Sequence, residues 1–154
     1  MADSPPPLQR SMIAEAATPQ SLERGDRYYR QGRILKPHRQ AGKLWGECYG
    51  SELYKTSVTL NADGTIAIFD CTCPYDWGGI CKHQVALLLA YLHEPQQFQV
   101  IAPVETLLEG RSREDLVMLI ERMLKRNPEL LDLIAAMPAS TNRTVPLTAY
   151  HEQI

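Results

Sequence analysis

The chain has 154 residues, room for one domain with a modest core. A composition of 44% hydrophobic and 22% charged residues excludes a disordered chain, and no apolar run nears the roughly 20 residues of a membrane span. The net charge of −2 excludes any global electrostatic attraction to nucleic acid.

Residues 1–17 begin with Pro5, Pro6 and Pro7 and read as a flexible lead-in, with a short helix open to Leu8 through Ala17. Thr18-Pro19 is a helix start: threonine caps, and proline suits the first helical position because its missing N–H is not needed there. This helix is predicted to run to about Gln31 and to end at Gly32 in a left-handed turn. Leu22, Tyr29 and Ile34 face the core. Arg24, Arg27, Arg30 and Arg33 form a basic surface, either a solvated face or a stripe that contacts phosphates with help from Tyr28. Charge is divided along the chain. Residues 1–43 carry eight Lys/Arg against four Asp/Glu, whereas residues 44–100 carry two against six, so the later stretch is acidic.

Three strands follow: Leu44 to Tyr49, Leu53 to Leu60 and Thr65 to Asp70, joined by turns at Gly50-Ser51-Glu52 and Asn61-Ala62-Asp63-Gly64. Cys48 reads as a packed thiol rather than a metal ligand. His38 is placed in a basic loop, facing solvent. The third strand leads into CTCPYDWGGICKH, residues 71–83. Cys71/Cys73 and Cys81/His83 are two pairs with the same one-residue gap, joined by a seven-residue loop. Three thiolates and an imidazole so close together suit one tetrahedral ion. Residues i and i+2 of a plain strand are roughly 6–7 Å apart, too far for two sulfurs on one ion, so the strand must bend after Asp70. Pro74 keeps Cys73 extended, and Gly78 and Gly79 let the loop return. Cys81 then arrives at a helix N-terminus, where the backbone dipoles and Lys82 favour a thiolate. Four ligands in hand point to a closed, structural ion.

The helix from Lys82 to His93 carries Val85, Leu88, Leu89 and Leu92 as its core stripe, with His93 complementing the dipole at its end and Pro95 stopping it. Val104 to Glu109 is a short helix ending at Gly110. Ser112 and Asp115 are spaced as a capping box for a helix with Leu116, Leu119, Ile120, Met123 and Leu124 on one face. Asn127-Pro128 starts another, with Leu130, Leu133, Ile134 and Met137. These make a helical hairpin that packs on the preceding domain or on itself, or else offers a docking surface to a partner or a second copy. Residues 138–154 read as an irregular tail.

The pattern Cys71-x-Cys73, a loop, then Cys81-x-His83 opening a helix resembles the SWIM zinc finger. LERGDRYYRQGRI resembles the helix that precedes the finger in bacterial members of that family. The resemblance covers roughly residues 18–93. It implies a β-hairpin and a following helix holding one structural Zn2+, and DNA-binding or protein-binding roles.

The expected architecture is therefore α+β: a small antiparallel sheet with a zinc-binding hairpin-plus-helix finger (18–95), flanked by an N-terminal helix and a C-terminal helical hairpin (103–137). The expected function is a cytoplasmic zinc-held module that contacts DNA or another protein. No membrane or small-molecule substrate is implied. DNA contact would use Arg24, Arg27, Arg30 and Arg33. A protein-only adaptor, working beside a separate enzyme such as a helicase-like ATPase, would use the helical hairpin or the finger loop with Tyr75 and Trp77. Catalysis is not expected: there is no phosphate-cradling loop and no nucleophile–base pair, and Asp70 and Asp76 read as supporting or solvent-facing acids.

Overall fold

Nine consecutive residues of the central helix, His83 through Tyr91, are buried. The cause is in its sequence: KHQVALLLAYLH is apolar on nearly every side, and such a helix must be surrounded. The predicted stripe named one face only. Val85, Leu88 and Leu89 are buried as expected and Leu92 partly so, but Ala86, Leu87, Ala90 and Tyr91 are buried as well. Each fully buried leucine here contributes about 1.5–3 kcal/mol relative to exposure.

The computed structural model describes residues 7–138. Residues 1–6 of the lead-in expected at 1–17, and residues 139–154 of the tail expected at 138–154, lie outside the described residues. The chain divides into two units, Met1–Leu107 and Leu108–Ile154. The first contains α1 (Arg10–Ala16), α2 (Pro19–Arg30), β1 (Ile34–Gln40), β2 (Lys43–Tyr49), β3 (Leu53–Leu60), β4 (Ile66–Cys71), α3 (Lys82–His93), a 3-10 turn (Pro95–Gln97), β5 (Gln99–Val100) and α4 (Val104–Leu107). The fold is α+β. The five strands lie in the order β4-β3-β2-β1-β5, antiparallel except that β5 runs parallel to β1. Leu44, Val58 and Leu60 from the sheet meet α3, Ile13 of α1, Ile80 and Phe98 in one core.

Local chemistry accounts for the helix ends. The Thr18 hydroxyl accepts from Ser21 N at 3.1 Å, and Gly32 takes the left-handed conformation (φ 64°) after α2 ends. α2 crosses α3 at Gly25. A Cβ there would lie 2.3 Å from Val85 Cγ1, so only glycine permits this approach.

Two strands escaped prediction. β1 contains Pro37, which lacks the N–H that a ladder uses and argues against a strand. The structure places Pro37 at a register shift between Leu35 and His38, next to Lys36 in a left-handed backbone (φ 48°), so the ladder skips it. His38 is accordingly not in a solvent-facing loop. It is half-buried in β1 and stacked on Trp45, with ring centroids 5.4 Å apart. β5 has two residues, too few for any alternation to be visible. His93, expected only to complement a dipole, also stacks on Tyr29 at 5.4 Å.

In the second unit, α5 (Arg113–Arg126) begins with the expected capping box. Asp115 N donates to Ser112 Oγ at 3.1 Å, and Ser112 N donates to Asp115 Oδ2 at 3.2 Å. A 3-10 turn, Pro128–Leu130, replaces the first turn of the predicted next helix, leaving α6 as Leu131–Ala136. No helix among the described residues is long and apolar enough to cross a membrane.

Candidate metal centre

Cys71 is the last residue of β4, opposite Thr56 on β3. The chain bends one residue later than the sequence suggests, at Thr72 and Cys73. Thr72 holds that bend: its N–H donates to Lys55 O, and its Oγ1 accepts from Lys55 N, both at 3.0 Å. The bend turns Cys73 back toward Cys71, which a straight strand could not do.

The return of the loop is pinned at two places. Ile80 N donates to Ala16 O at 3.0 Å, and Ile80 bridges Ala17 as a parallel partner. Gly79 before it has φ 67°, and a Cβ there would lie 2.3 Å from Ala16 O, so this residue must be glycine. Near the loop's start, the Tyr75 hydroxyl accepts from Ser21 Oγ (3.1 Å) and donates to Gly78 O (3.0 Å), fastening the loop to α2.

Cys81 is the N-cap of α3. Its sulfur accepts from the backbone of Gln84, and its own N–H donates to Gln84 Oε1 at 2.8 Å. This reciprocal cap positions the thiol and places His83 in the first turn. The His83 ring lies near Tyr54 (centroids 4.6 Å) and Tyr28 (5.6 Å), and only 2% of the residue is exposed.

The four ligand atoms all lie within 4.8 Å of one another. His83 Nδ1 is 3.7 Å from Cys71 Sγ and 3.8 Å from Cys81 Sγ. Ligand atoms around one tetrahedral ion are about 3.5–3.8 Å apart when metal–sulfur bonds are near 2.3 Å and metal–nitrogen bonds near 2.0–2.1 Å. The donor set therefore fits a single metal ion, held by Cys71, Cys73, Cys81 and His83. All four cysteines of the chain are free thiols, so no disulfide competes for these sulfurs. Cys48 is fully buried and stands outside the cluster.

Charge in the bare cluster is shared unevenly. A hydrogen bond from the Cys81 thiol, helped by His83 and opposed by burial, holds the Cys71 sulfur down at about 4. Cys81 is pushed up, first by that hydrogen bond to Cys71 and then by burial. Burial pushes Cys73 up. Three sulfurs crowded around little positive charge suit a cation in their midst.

With Nδ1 turned to the sulfurs, His83 Nε2 points away. It is buried and has no hydrogen-bond partner among the described residues. It sits close to Gly50, whose absent Cβ would lie 3.3 Å from it.

The basic stripe is less free than its sequence suggests. Arg27 pairs with Glu23 at 3.3 Å and Arg30 with Asp26 at 2.7 Å. Arg33 donates to Gln31 Oε1 and to Tyr49 O, and lies over the Tyr28 ring at 4.6 Å. Lys82, expected to favour the Cys81 thiolate, has its Nζ 5.0 Å from the centre of the Tyr28 ring. Arg24 is exposed and has no ion-pair or hydrogen-bond partner among the described residues. Trp77 is 83% exposed, while Tyr75 is half-buried and tied to α2. The partners that order the ligands were missed: Gln84, Tyr28 and Tyr54. The three-residue spacing from Cys81 to Gln84 matches a capping box and was a usable signal. Nothing local in the sequence brings the two tyrosines to His83.

No family model matches the chain, and no solved structure matches it. Over 113 residues it is 28% identical to an uncharacterized protein of Methanocaldococcus jannaschii. The match covers 73% of this chain and 46% of that protein, so the chain spans about half the length of that relative.

Proposed function

We propose that the protein is a binding module of the SWIM type, built around one structural zinc ion. One observation supports this above the others: three cysteine sulfurs and a histidine nitrogen, drawn from a strand end and a helix start, lie within 4.8 Å of one another. The donor chemistry favours zinc, because thiolate and imidazole together suit that ion. Four protein ligands make the ion structural, since a catalytic zinc keeps a position open for water or substrate. The module is therefore not an enzyme. Free thiols fit the reducing cytoplasm.

The ion's role is to hold the end of β4, the loop and the start of α3 together. Binding energies of about 10–16 kcal/mol are usual for structural zinc in small fingers, more than the whole stability of most small domains. The test is metal content. Purified protein should carry close to one zinc per chain. Cys73→Ser should lose it, and so should protein treated with a strong chelator. Amide protection in residues 71–83 should fall with the metal. A folded protein that never carries zinc, whatever the preparation, defeats the proposal.

The partner is DNA or another protein. Arg27 and Arg30 are paired on their own helix, which favours a contact centred on Arg24 over one spread along the stripe. The adaptor reading has its own support: Trp77 is exposed at the loop tip, and Leu119, Ile120 and Met123 of α5 are exposed. A protein partner found on those side chains would hold at high salt; one held by Arg24 would not.

A further inference from the structure

Two cavities run along the junction between α2 and the loop that carries Cys73. One has a volume of about 300 Å³ and reaches Tyr54, Lys82 and the edge of the metal centre. The other has a volume of about 600 Å³ and reaches Thr18 and Pro19. They share Gln20, Arg24, Tyr75 and Trp77, which makes them one groove. No aspartate or glutamate lines either part. Of its two cations, Arg24 comes from the basic stretch 1–43 and Lys82 from the acidic stretch 44–100. With two bases and no acid, the groove's lining is cationic.

The groove's chemistry is specific. Arg24 lines both parts and is unpaired among the described residues, so its guanidinium is available to an anion. Lys82 adds a second cation in the smaller part. Trp77 presents an open aromatic face, and Tyr75 is held beside it by Ser21 and Gly78. Cations and flat rings thus line the same groove. The matching ligand is a polymer in which each anionic unit carries a flat ring of its own. A nucleotide chain has that pattern; an acidic peptide carries its charge on groups with no ring. A duplex hides its ring faces in the stack, so the strand must be single.

We infer that this groove binds single-stranded nucleic acid, with bases on Trp77 and phosphates on Arg24 and Lys82. The inference rests on the zinc-held module proposed above and names its ligand. Cys73, Cys81 and His83 line the inner end of the smaller part, where they would hold the proposed zinc, and the ion would take no part in the contact.

The test uses the full chain, with zinc measured on every sample. Fluorescence anisotropy follows binding of a labelled eight-nucleotide oligothymidylate, an equal-length duplex and an oligoglutamate peptide containing tyrosine. The single strand should bind tightest. Its log K should fall with log salt at a slope of about −1.4, from two phosphates at roughly 0.7 each. Arg24→Ala should weaken binding about fivefold to tenfold and reduce the slope by about 0.7. Trp77→Ala should weaken it about tenfold or more and leave the slope unchanged. Arg27→Ala, at a paired position off the groove, should change affinity less than about twofold. Preference for the duplex or the peptide, or single-strand binding that ignores both Arg24→Ala and Trp77→Ala, overturns the inference. One zinc per chain with no oligonucleotide binding also overturns it, and leaves the module standing. Absence of zinc sinks the module instead.

Discussion

Replacing Gly25 with alanine adds one methyl group at the point where α2 crosses α3. The new carbon would lie 2.3 Å from Val85 Cγ1, 2.4 Å from Val85 Cβ and 2.9 Å from Lys82 O. Non-bonded carbons rest near 3.5–4.0 Å, so α2 and α3 must separate by about 1 Å or more. No rotamer of Val85 relieves this, because its Cβ is fixed to the backbone and Lys82 O is backbone itself. Overpacking of this kind costs about 1–3 kcal/mol, and alanine's better helix propensity offsets up to about 1 kcal/mol of that. With contacts this short to a fixed Cβ and to backbone the cost lies at the upper end of that range, so the expected net loss is about 1–2 kcal/mol, with a fall in Tm of about 4–8 °C for each kcal/mol in a domain of this size. Urea and thermal unfolding of zinc-loaded protein measure it. Because α2 also carries Ser21 and Arg24, the variant should loosen the loop as well. A Tm equal to or above that of the parent would refute the reasoning, since helix propensity would then have won and the two helices could not be in such close contact.

Three further outcomes follow from the same geometry. Gly50→Ala sets a methyl 3.1 Å from Tyr54 Cε2 and 3.3 Å from His83 Nε2, so it should press on the ligand's ring and weaken metal retention by about tenfold, read as zinc release to a chromophoric chelator; an unchanged release rate contradicts it. Tyr75→Phe removes a hydroxyl that bonds both Ser21 and Gly78, and should speed amide exchange in residues 74–79 while leaving α5 as it was. Burial pushes the Cys48 thiol from 9.0 up to about 12, with the Cys71 sulfur adding to the shift. This contribution to stability is full below pH 9 and is lost as pH climbs from about 9 toward 12, since the unfolded chain gives up that proton first. At pH 8 iodoacetamide should therefore leave Cys48 unlabelled until the protein unfolds, and rapid labelling of the native protein would show that it is not packed.

Much of the metal centre can be read from spacing alone. Two Cys/His pairs with equal gaps, a proline and two glycines between them, and an apolar run behind them mark the candidate cluster and the start of α3. Caps are similarly local, as Thr18 and Ser112 illustrate. The i,i+4 pairs Glu23/Arg27 and Asp26/Arg30 were equally legible, and they change the meaning of the basic stripe. What could not be read was set by distant partners. β1 is hidden by Pro37, because only its pairing with β2 reveals that the irregularity sits at a bulge. The clasp of Tyr28 and Tyr54 on His83 joins a helix, a strand and another helix. The groove joins residues of α2 to the loop after β4 and to Lys82, and no window of sequence contains them all.

β4 lies at one margin of the sheet, with Ile68 and Phe69 exposed. A margin of this kind invites pairing with a neighbouring chain, and proteins restrain it by bending, shortening or fastening the strand. Here the fastening is chemical: the strand's last residue is Cys71, and the kink that follows is locked once its sulfur is shared with Cys73, Cys81 and His83. Under the proposed zinc-held reading, stripping the ion would leave this border loose and sticky. Metal supply would then govern how much of the protein stays dispersed and how much clumps, even where nothing else about the chain has changed.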